Sequence, residues 1–333
     1  MTWNHLSPGD VATTWDARLQ DFTGQSLFQS LRWGQYKRTR GWTPHYFHAS
    51  RNGTIVGMLQ AFVRTYASRT VFAWCSGGPV GTLEACTPES MRQLARLLGA
   101  RAFYCRSHFL RIRTTQDDEY LQSQGWVRPP HPVGTNATAV WNLDRTEEQL
   151  LAGLNRNWRY SLRQAQKRDI AIEHLSDPPV EELSELCRAM NQSKGVPGFV
   201  RTSDVAALFE ALDGGAVVYG CRNSAGELIA FHSCGLQGPR AWELLAATSD
   251  EGRRDGASFL ALWAVILHCR RMNVTHYDLA GVDRVNSPGV ADFKRWTGAE
   301  DVEWLGEWEW STSRLLARAV NMAVRHRSAS ALP

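Results

Sequence analysis

The stretch AVVYGCRNSAGELIAFHSCGLQGPRAWELLAATSDEGRRDGASFLALWAVILHCRRMNVTHYDL, residues 216–279, decides the fold. Two strand-like runs, Ala216–Arg222 and Leu228–Leu236, flank a turn signal at Asn223–Gly226, and a third, Arg240–Ala247, follows. Short apolar-rich runs separated by Gly, Asn and Ser read as a meander of antiparallel strands. A helix over Gly256–Met272 and a strand over His276–Leu279 then give the order strand, strand, strand, helix, strand.

Upstream, Leu151, Leu154, Trp158, Leu162 and Ala165 recur at three- and four-residue intervals, the spacing of a buried helical stripe, and predict one helix over Glu147–Lys167. A strand at Ile170–His174 and helices at Pro179–Ser193 and Thr202–Leu212 link it to the meander. The first part of the chain repeats this order without repeating the sequence. A helix over Val11–Phe22 and a short one carrying Trp33, Tyr36 and Lys37 precede strands at Pro44–Ala49, Ile55–Tyr66 and Thr70–Trp74. A helix at Pro88–Ala100 and a strand at Phe109–Arg113 follow. The fold class expected is α/β (α+β), with mixed, largely antiparallel sheets flanked by helices. The modules expected are 1–146, completed by a C-terminal helix within 311–333, and 147–310.

Composition bounds what such a chain can be. Its 333 residues suit two domains, and 43% hydrophobic with 21% charged residues excludes a disordered or fibrous protein. The longest apolar run, Phe259–Leu267, is nine residues, against roughly 20 for a membrane span. The N-terminus has no basic-then-apolar leader pattern, so a cytoplasmic location is expected. Seven cysteines lie no closer than Cys75 and Cys86, which excludes CxxC spacings. His45 and His48 form the one compact doublet, on alternate faces of a strand, and no metal is expected. Residues 1–150 carry sixteen basic and eleven acidic residues, 151–310 seventeen and twenty-two, and 311–333 four arginines with no acid. A polyanion would therefore meet the ends of the chain. Serine-hydrolase, P-loop and dinucleotide motifs are absent.

Several segments in register resemble the Fem family of non-ribosomal peptidyltransferases, which build peptidoglycan cross-bridges from aminoacyl-tRNA. They are FQSLRWGQYKRTRGW at 28–42, GGPVG at 77–81, LNRNWRYSLRQAQKRDIAIE at 154–173, LIAFHSCG, WELLAATSDEGRRDGASFLALWAVI, THYDLAGV and FKRWTGAE. The resemblance spans nearly the whole chain. It implies two tandem GNAT-like domains and transfer of an amino acid from aminoacyl-tRNA, a co-substrate with no further cofactor, to an amine of a peptide-containing acceptor. That acceptor is either a peptidoglycan precursor or a peptide antibiotic.

The resemblance also implies site residues. Phe293 and Lys294 would sit beside the reaction centre, with Lys294 stabilising the oxyanion. Trp33, Tyr36, Lys37 and Arg201 match positions that bind a UDP-linked acceptor, whose diphosphate a lysine and an arginine can neutralise together. Arg156, Arg159, Arg163 and Lys167 make a basic stripe suited to the phosphates of a tRNA acceptor stem. One segment departs from the family: Arg111-Ile112-Arg113-Thr114 stands where an Arg-x-Asp-Pro pattern is usual. The missing acid leaves the base to the substrate, to His108 or to Asp283, and Arg113 would suit an acceptor carboxylate.

Two other readings compete. Arg253–Ser258 approximates the R-x-x-G-x-A turn of acyl-CoA-dependent GNAT N-acyltransferases. The basic tail, with Arg314, Arg318, Arg325 and Arg327 among apolar residues, would suit peripheral membrane or RNA contact, second to docking on the first domain. A monomer that binds no DNA is expected.

Overall fold

The structure is a computed structural model that describes residues 1–193, 200–285 and 287–330, the last four without their side chains. The side chain of Arg327, and Gly198 and Phe199 beside Arg201, lie outside the described residues.

In chain order the elements are β1 (Thr2–His5), α1 (Pro8–Leu19), α2 (Leu31–Thr39), β2 (Thr43–Arg51), β3 (Thr54–Tyr66), β4 (Thr70–Ser76), β5 (Val80–Gly81), α3 (Pro88–Leu97), β6 (Ala102–Ile112) and α4 (Thr115–Ser123). They continue as β7 (Ala137–Asn142), α5 (Glu147–Gly153), α6 (Arg156–Ala165), β8 (Ala171–His174), α7 (Val180–Ser193), α8 (Thr202–Ala211), β9 (Ala216–Arg222), β10 (Leu228–Gln237), β11 (Arg240–Thr248), α9 (Asp250–Asp255), α10 (Ala257–Arg271), β12 (His276–Gly281), α11 (Pro288–Arg295), β13 (Glu300–Ser311) and α12 (Arg314–Ser330).

The chain divides into two compact units, Met1–Asn136 with Glu303–Ser330, and Ala137–Val302. The divisions fall earlier than the expected 146 and 310. Both shifts come from strands that the sequence reading did not identify. β7 pairs antiparallel with β12 and so belongs to the second unit, and β13 pairs antiparallel with β6 and returns to the first.

In unit 1 the sheet order is β1-β2-β3-β4-β6-β13, with β5 against β3. The β2-β3-β4 meander is antiparallel, and after α3 the chain re-enters as β6, parallel to β4. Unit 2 has the order β7-β12-β11-β10-β9-β8. Its β9-β10-β11 meander is antiparallel, and α10 carries the chain over to β12, parallel to β11. The two units share one topology, in which a crossover helix joins the third strand of a meander to a parallel partner.

The helix expected over 147–167 is two helices. Leu154 turns extended (φ −62°, ψ 140°), and the Asn155 side chain accepts from the Asn157 N–H at 2.9 Å, capping α6 anew. The Asn155 N–H meanwhile donates to the Trp296 carbonyl at 2.7 Å, just past α11. The break thus docks the start of α6 on the end of α11.

Unit 1 is held internally by charge as well as packing. Arg106 is fully buried, its Nε donating to Glu307 Oε2 at 2.7 Å across the β6–β13 pair. The other Glu307 oxygen accepts the Val133 and Gly134 N–H groups at 2.8 and 2.6 Å. On α12, Asn321 donates to Glu309 at 2.8 Å, and Glu309 also accepts from the Tyr104 hydroxyl at 2.6 Å. Removing one member of a buried pair strands the other in low dielectric, at about 3–5 kcal/mol. Arg106→Leu is expected to destabilise unit 1 by about that amount in urea unfolding, and Arg106→Leu with Glu307→Leu by less.

Candidate functional site

The polar centre of unit 2 forms where β11 and β12 part. Their parallel ladder covers only Arg240–Trp242 against His276–Asp278. On the other side of β11, the register against β10 slips between His232 and Cys234, a bulge that leaves Ser233 to hydrogen-bond both the N–H and the carbonyl of Leu245, at 3.0 and 2.8 Å. Bulges re-aim side chains. Here His232 Nδ1 meets Glu243 Oε1 at 2.6 Å, and the Tyr277 hydroxyl of β12 donates to the second Glu243 oxygen. His232 Nε2 lies 2.8 Å from the Ser258 hydroxyl, in the first turn of α10. Gly256, at φ +74°, opens that helix from a left-handed conformation that favours glycine.

Phe293 and Lys294 border this network. The Phe293 ring stacks on His232 at 6.0 Å, meets Phe259 edge-on at 5.1 Å and lies 5.8 Å from Trp158 of α6. Lys294 stands in the last turn of α11, half-buried, where a surface turn would have left it in water. Its ammonium donates to the Gly281 carbonyl at 2.8 Å. Burial lowers its pKa, and the carboxylates of Glu243 and Asp278 oppose that shift. Asp278 is itself buried, which raises its pKa against the hydrogen bonds it accepts from Thr138 and the Ala280 N–H. The backbone between them is bent at Ala280, a non-glycine residue at φ +60°. A half-buried ammonium on a neutral carbonyl can donate to an oxyanion that develops nearby.

The basic stripe of α6 lies on the helix face away from Trp158, Leu162 and Ala165, which are buried. Arg156, Arg159 and Arg163, with Lys167 just past the helix end, line a concavity of about 670 Å³ together with Tyr160, whose side chain is exposed. Arg201 is exposed at the residue preceding α8.

In unit 1, Trp33, Tyr36 and Lys37 stand together on α2. The Trp33 and Tyr36 rings are 5.1 Å apart, and the Lys37 ammonium lies 5.4 Å from the first ring centre and 5.8 Å from the second. Burial, helped by Arg40 and Arg64, brings the Lys37 pKa down to about 8. His108 is half-buried on β6, its Nε2 without a hydrogen-bond partner among the described residues, and burial lowers its pKa against the pull of Glu307. Arg113 is held between Asp118 at 2.7 Å and Glu303 at 2.5 Å. Two carboxylates of the same unit already pair with that guanidinium.

His232, Glu243 and Tyr277 carry no signal in the sequence reading, and Ser258 enters it only as the last residue of a turn pattern. They lie on β10, β11, β12 and α10 and meet only through the sheet register. Among the described residues no three His, Cys, Asp or Glu side chains form a metal cluster, and no helix is long and apolar enough to cross a membrane.

Lys37 loses its charge as pH rises through about 8, so any anion that depends on that charge must bind more weakly above it. Calorimetric titration with inorganic pyrophosphate is expected to show affinity falling across that pH, and Lys37→Met is expected to abolish the dependence.

Residues 153–295 match the sequence profile of the acetyltransferase (GNAT) domain family. No curated protein matches the chain by sequence. The crystal structure of FemX superposes with a TM-score of 0.78 at 18% identity, over 96% of this chain and 100% of that one. The tandem GNAT protein of the clavulanic acid biosynthesis pathway gives 0.57 at 17% identity, over 94% and 98%. The C-terminal domain of a lysylphosphatidylglycerol synthetase, described as putative, from Agrobacterium fabrum gives 0.55 at 15% identity, over 95% of each chain. The chain has the tandem GNAT-like fold seen in FemX, and the segment that matches the GNAT domain family lies within its second unit.

Proposed function

We propose that the protein is an aminoacyltransferase, which takes an amino acid from aminoacyl-tRNA and forms a peptide bond with an amine of a peptide-containing acceptor. The observation that carries the reading is Lys294, a half-buried ammonium bonded to a backbone carbonyl beside Phe293. Aminolysis of an ester passes through a tetrahedral oxyanion. A cation already desolvated in the resting protein needs little reorganisation to meet that charge, and one such donor is worth about 3–4 kcal/mol.

The α6 stripe supports a nucleic-acid donor. Its cations gather along one concave surface, and phosphate contacts made from such a surface read charge and shape instead of sequence. The same helix sends Trp158 against Phe293 from its buried face, so one rigid element spans both features. The Trp33–Tyr36–Lys37 cluster of unit 1 supports an anionic group on the acceptor. Both the peptidoglycan precursor and the peptide antibiotic are kept as acceptor classes.

Single-turnover transfer from a mixture of charged tRNAs to candidate peptide acceptors, followed by product mass, tests the reading. Lys294→Ala is expected to slow transfer by on the order of a hundred- to a thousandfold with the melting temperature little changed. Transfer at the wild-type rate in that variant, or acyl transfer from acetyl-CoA alone, would overturn it. Arg159→Ala with Arg163→Ala is expected to weaken binding of charged tRNA and to flatten its log–log salt dependence by about one for each phosphate no longer neutralised.

A further inference from the structure

We propose that Ser258, His232 and Glu243 form a serine–histidine–carboxylate relay in which Ser258 accepts the acyl group as an ester before an amine removes it. The inference rests on the acyltransferase reading above, whose donor is an ester, but does not require the donor to be a tRNA.

An ionised Glu243 can only accept, and that sets the direction of the hydrogen bonds around it. The Tyr277 hydroxyl donates to one Glu243 oxygen and the His232 Nδ1–H to the other at 2.6 Å, so the carboxylate is held at both ends. With its proton on Nδ1, the neutral imidazole presents Nε2 as an acceptor. The partner at 2.8 Å, Ser258 Oγ, must then donate. Its proton points at a base and its lone pairs point away, the arrangement that activates a serine hydroxyl.

Exposure is graded along the relay in the sense that chemistry requires. His232 and the Glu243 side chain are buried, at 7% and 9%, whereas Ser258 is partly exposed. Ser258 also lies in the first turn of the fifteen-residue α10, whose N-cap, Gly256, offers no side-chain hydrogen bond to the first amides. The positive end of the helix favours negative charge developing on Oγ. Phe293 stacks on one face of the His232 ring and touches Phe259, the residue after Ser258, which brings Lys294 to the same locality.

In the first half-reaction Oγ attacks the ester carbonyl carbon while its proton passes to His232 Nε2. The ester C–O bond then breaks, and the proton leaves with the departing alcohol oxygen. In the second half-reaction the neutral acceptor amine attacks the Ser258 ester and its proton goes to Nε2. The C–O bond to Ser258 breaks, and Oγ recovers the proton as the amide forms. Nothing is oxidised or reduced, and no further reactant enters.

The test uses the full chain and p-nitrophenyl acetate, an activated ester that needs no tRNA. After acid quench and digestion, tandem mass spectrometry is expected to place one acetyl group on Ser258. Release of p-nitrophenolate should show a burst that is lost in Ser258→Ala and slowed by on the order of a hundredfold in His232→Gln. Absence of acetyl from Ser258 in the wild-type protein, or an undiminished burst in Ser258→Ala, would overturn the relay. Because the adduct is sought in the unaltered protein, a variant that fails to fold does not blunt the result. An adduct on Ser258 without any transfer from charged tRNA would support the relay and remove the proposed donor. Wild-type transfer from charged tRNA in Ser258→Ala would remove the relay and leave the donor standing.

Discussion

Where two parallel strands stop pairing, their backbone N–H and C=O groups still need partners, and in unit 2 side chains supply them. β11 and β12 share a ladder of three residues. Beyond it Asp278 accepts the Ala280 N–H at 2.8 Å and Lys294 donates to the Gly281 carbonyl. Buried backbone groups left unpaired cost as much as a lost hydrogen bond. The opening therefore persists only because polar and charged side chains line it, and that is why the chemistry of the unit collects there.

Those side chains are kept in place from the outside. The break in the helical stripe at Leu154–Asn155 ties α6 to the residue after α11 through the Asn155–Trp296 hydrogen bond. Thr297 donates to the Lys294 carbonyl at 2.6 Å and closes the end of α11. Trp158, Phe259 and Phe293 then pack on one another, and Phe293 stacks on His232, as rigid rings with few rotamers to lose. A substitution at any of these aromatic positions reaches the polar network through geometry and leaves its charges unaltered.

The meanders and crossover helices were legible in the sequence because period and turn chemistry are local. Asn223–Gly226 lies between β9 and β10, where the turn signal places it. β13 was hidden by its own solution to burial. In EDVEWLGEWEWS the glutamates suggest a solvated segment, yet Glu307 and Glu309 are buried at 1% and 3%, neutralised or hydrogen-bonded by Arg106, Tyr104 and Asn321 from distant parts of the chain. Lys294 is a candidate from the sequence because it sits in a recognisable segment, FKRWTGAE. The His232–Glu243–Ser258 contact could not, because it depends on a one-residue slip between β10 and β11 that no local pattern announces. Gly153 and Asn155 did carry a signal for the helix break, outweighed by an apolar stripe that runs on across it.

The buried Arg106–Glu307 pair joins residues 201 positions apart in the chain. Unit 2 is one continuous segment, Ala137–Val302, whereas unit 1 needs Glu303–Ser330 to complete it. On the ribosome, the unit that begins first must therefore finish last. Until Glu307 emerges, Arg106 has no carboxylate and the β6 edge has no β13, so the nascent first unit carries an open sheet edge and an unneutralised cation through the synthesis of the whole second unit. A stop shortly before β13 would leave the second unit able to close and the first unable to, which makes residues 303–330 the stretch that decides whether the first unit folds or becomes a substrate for proteolysis.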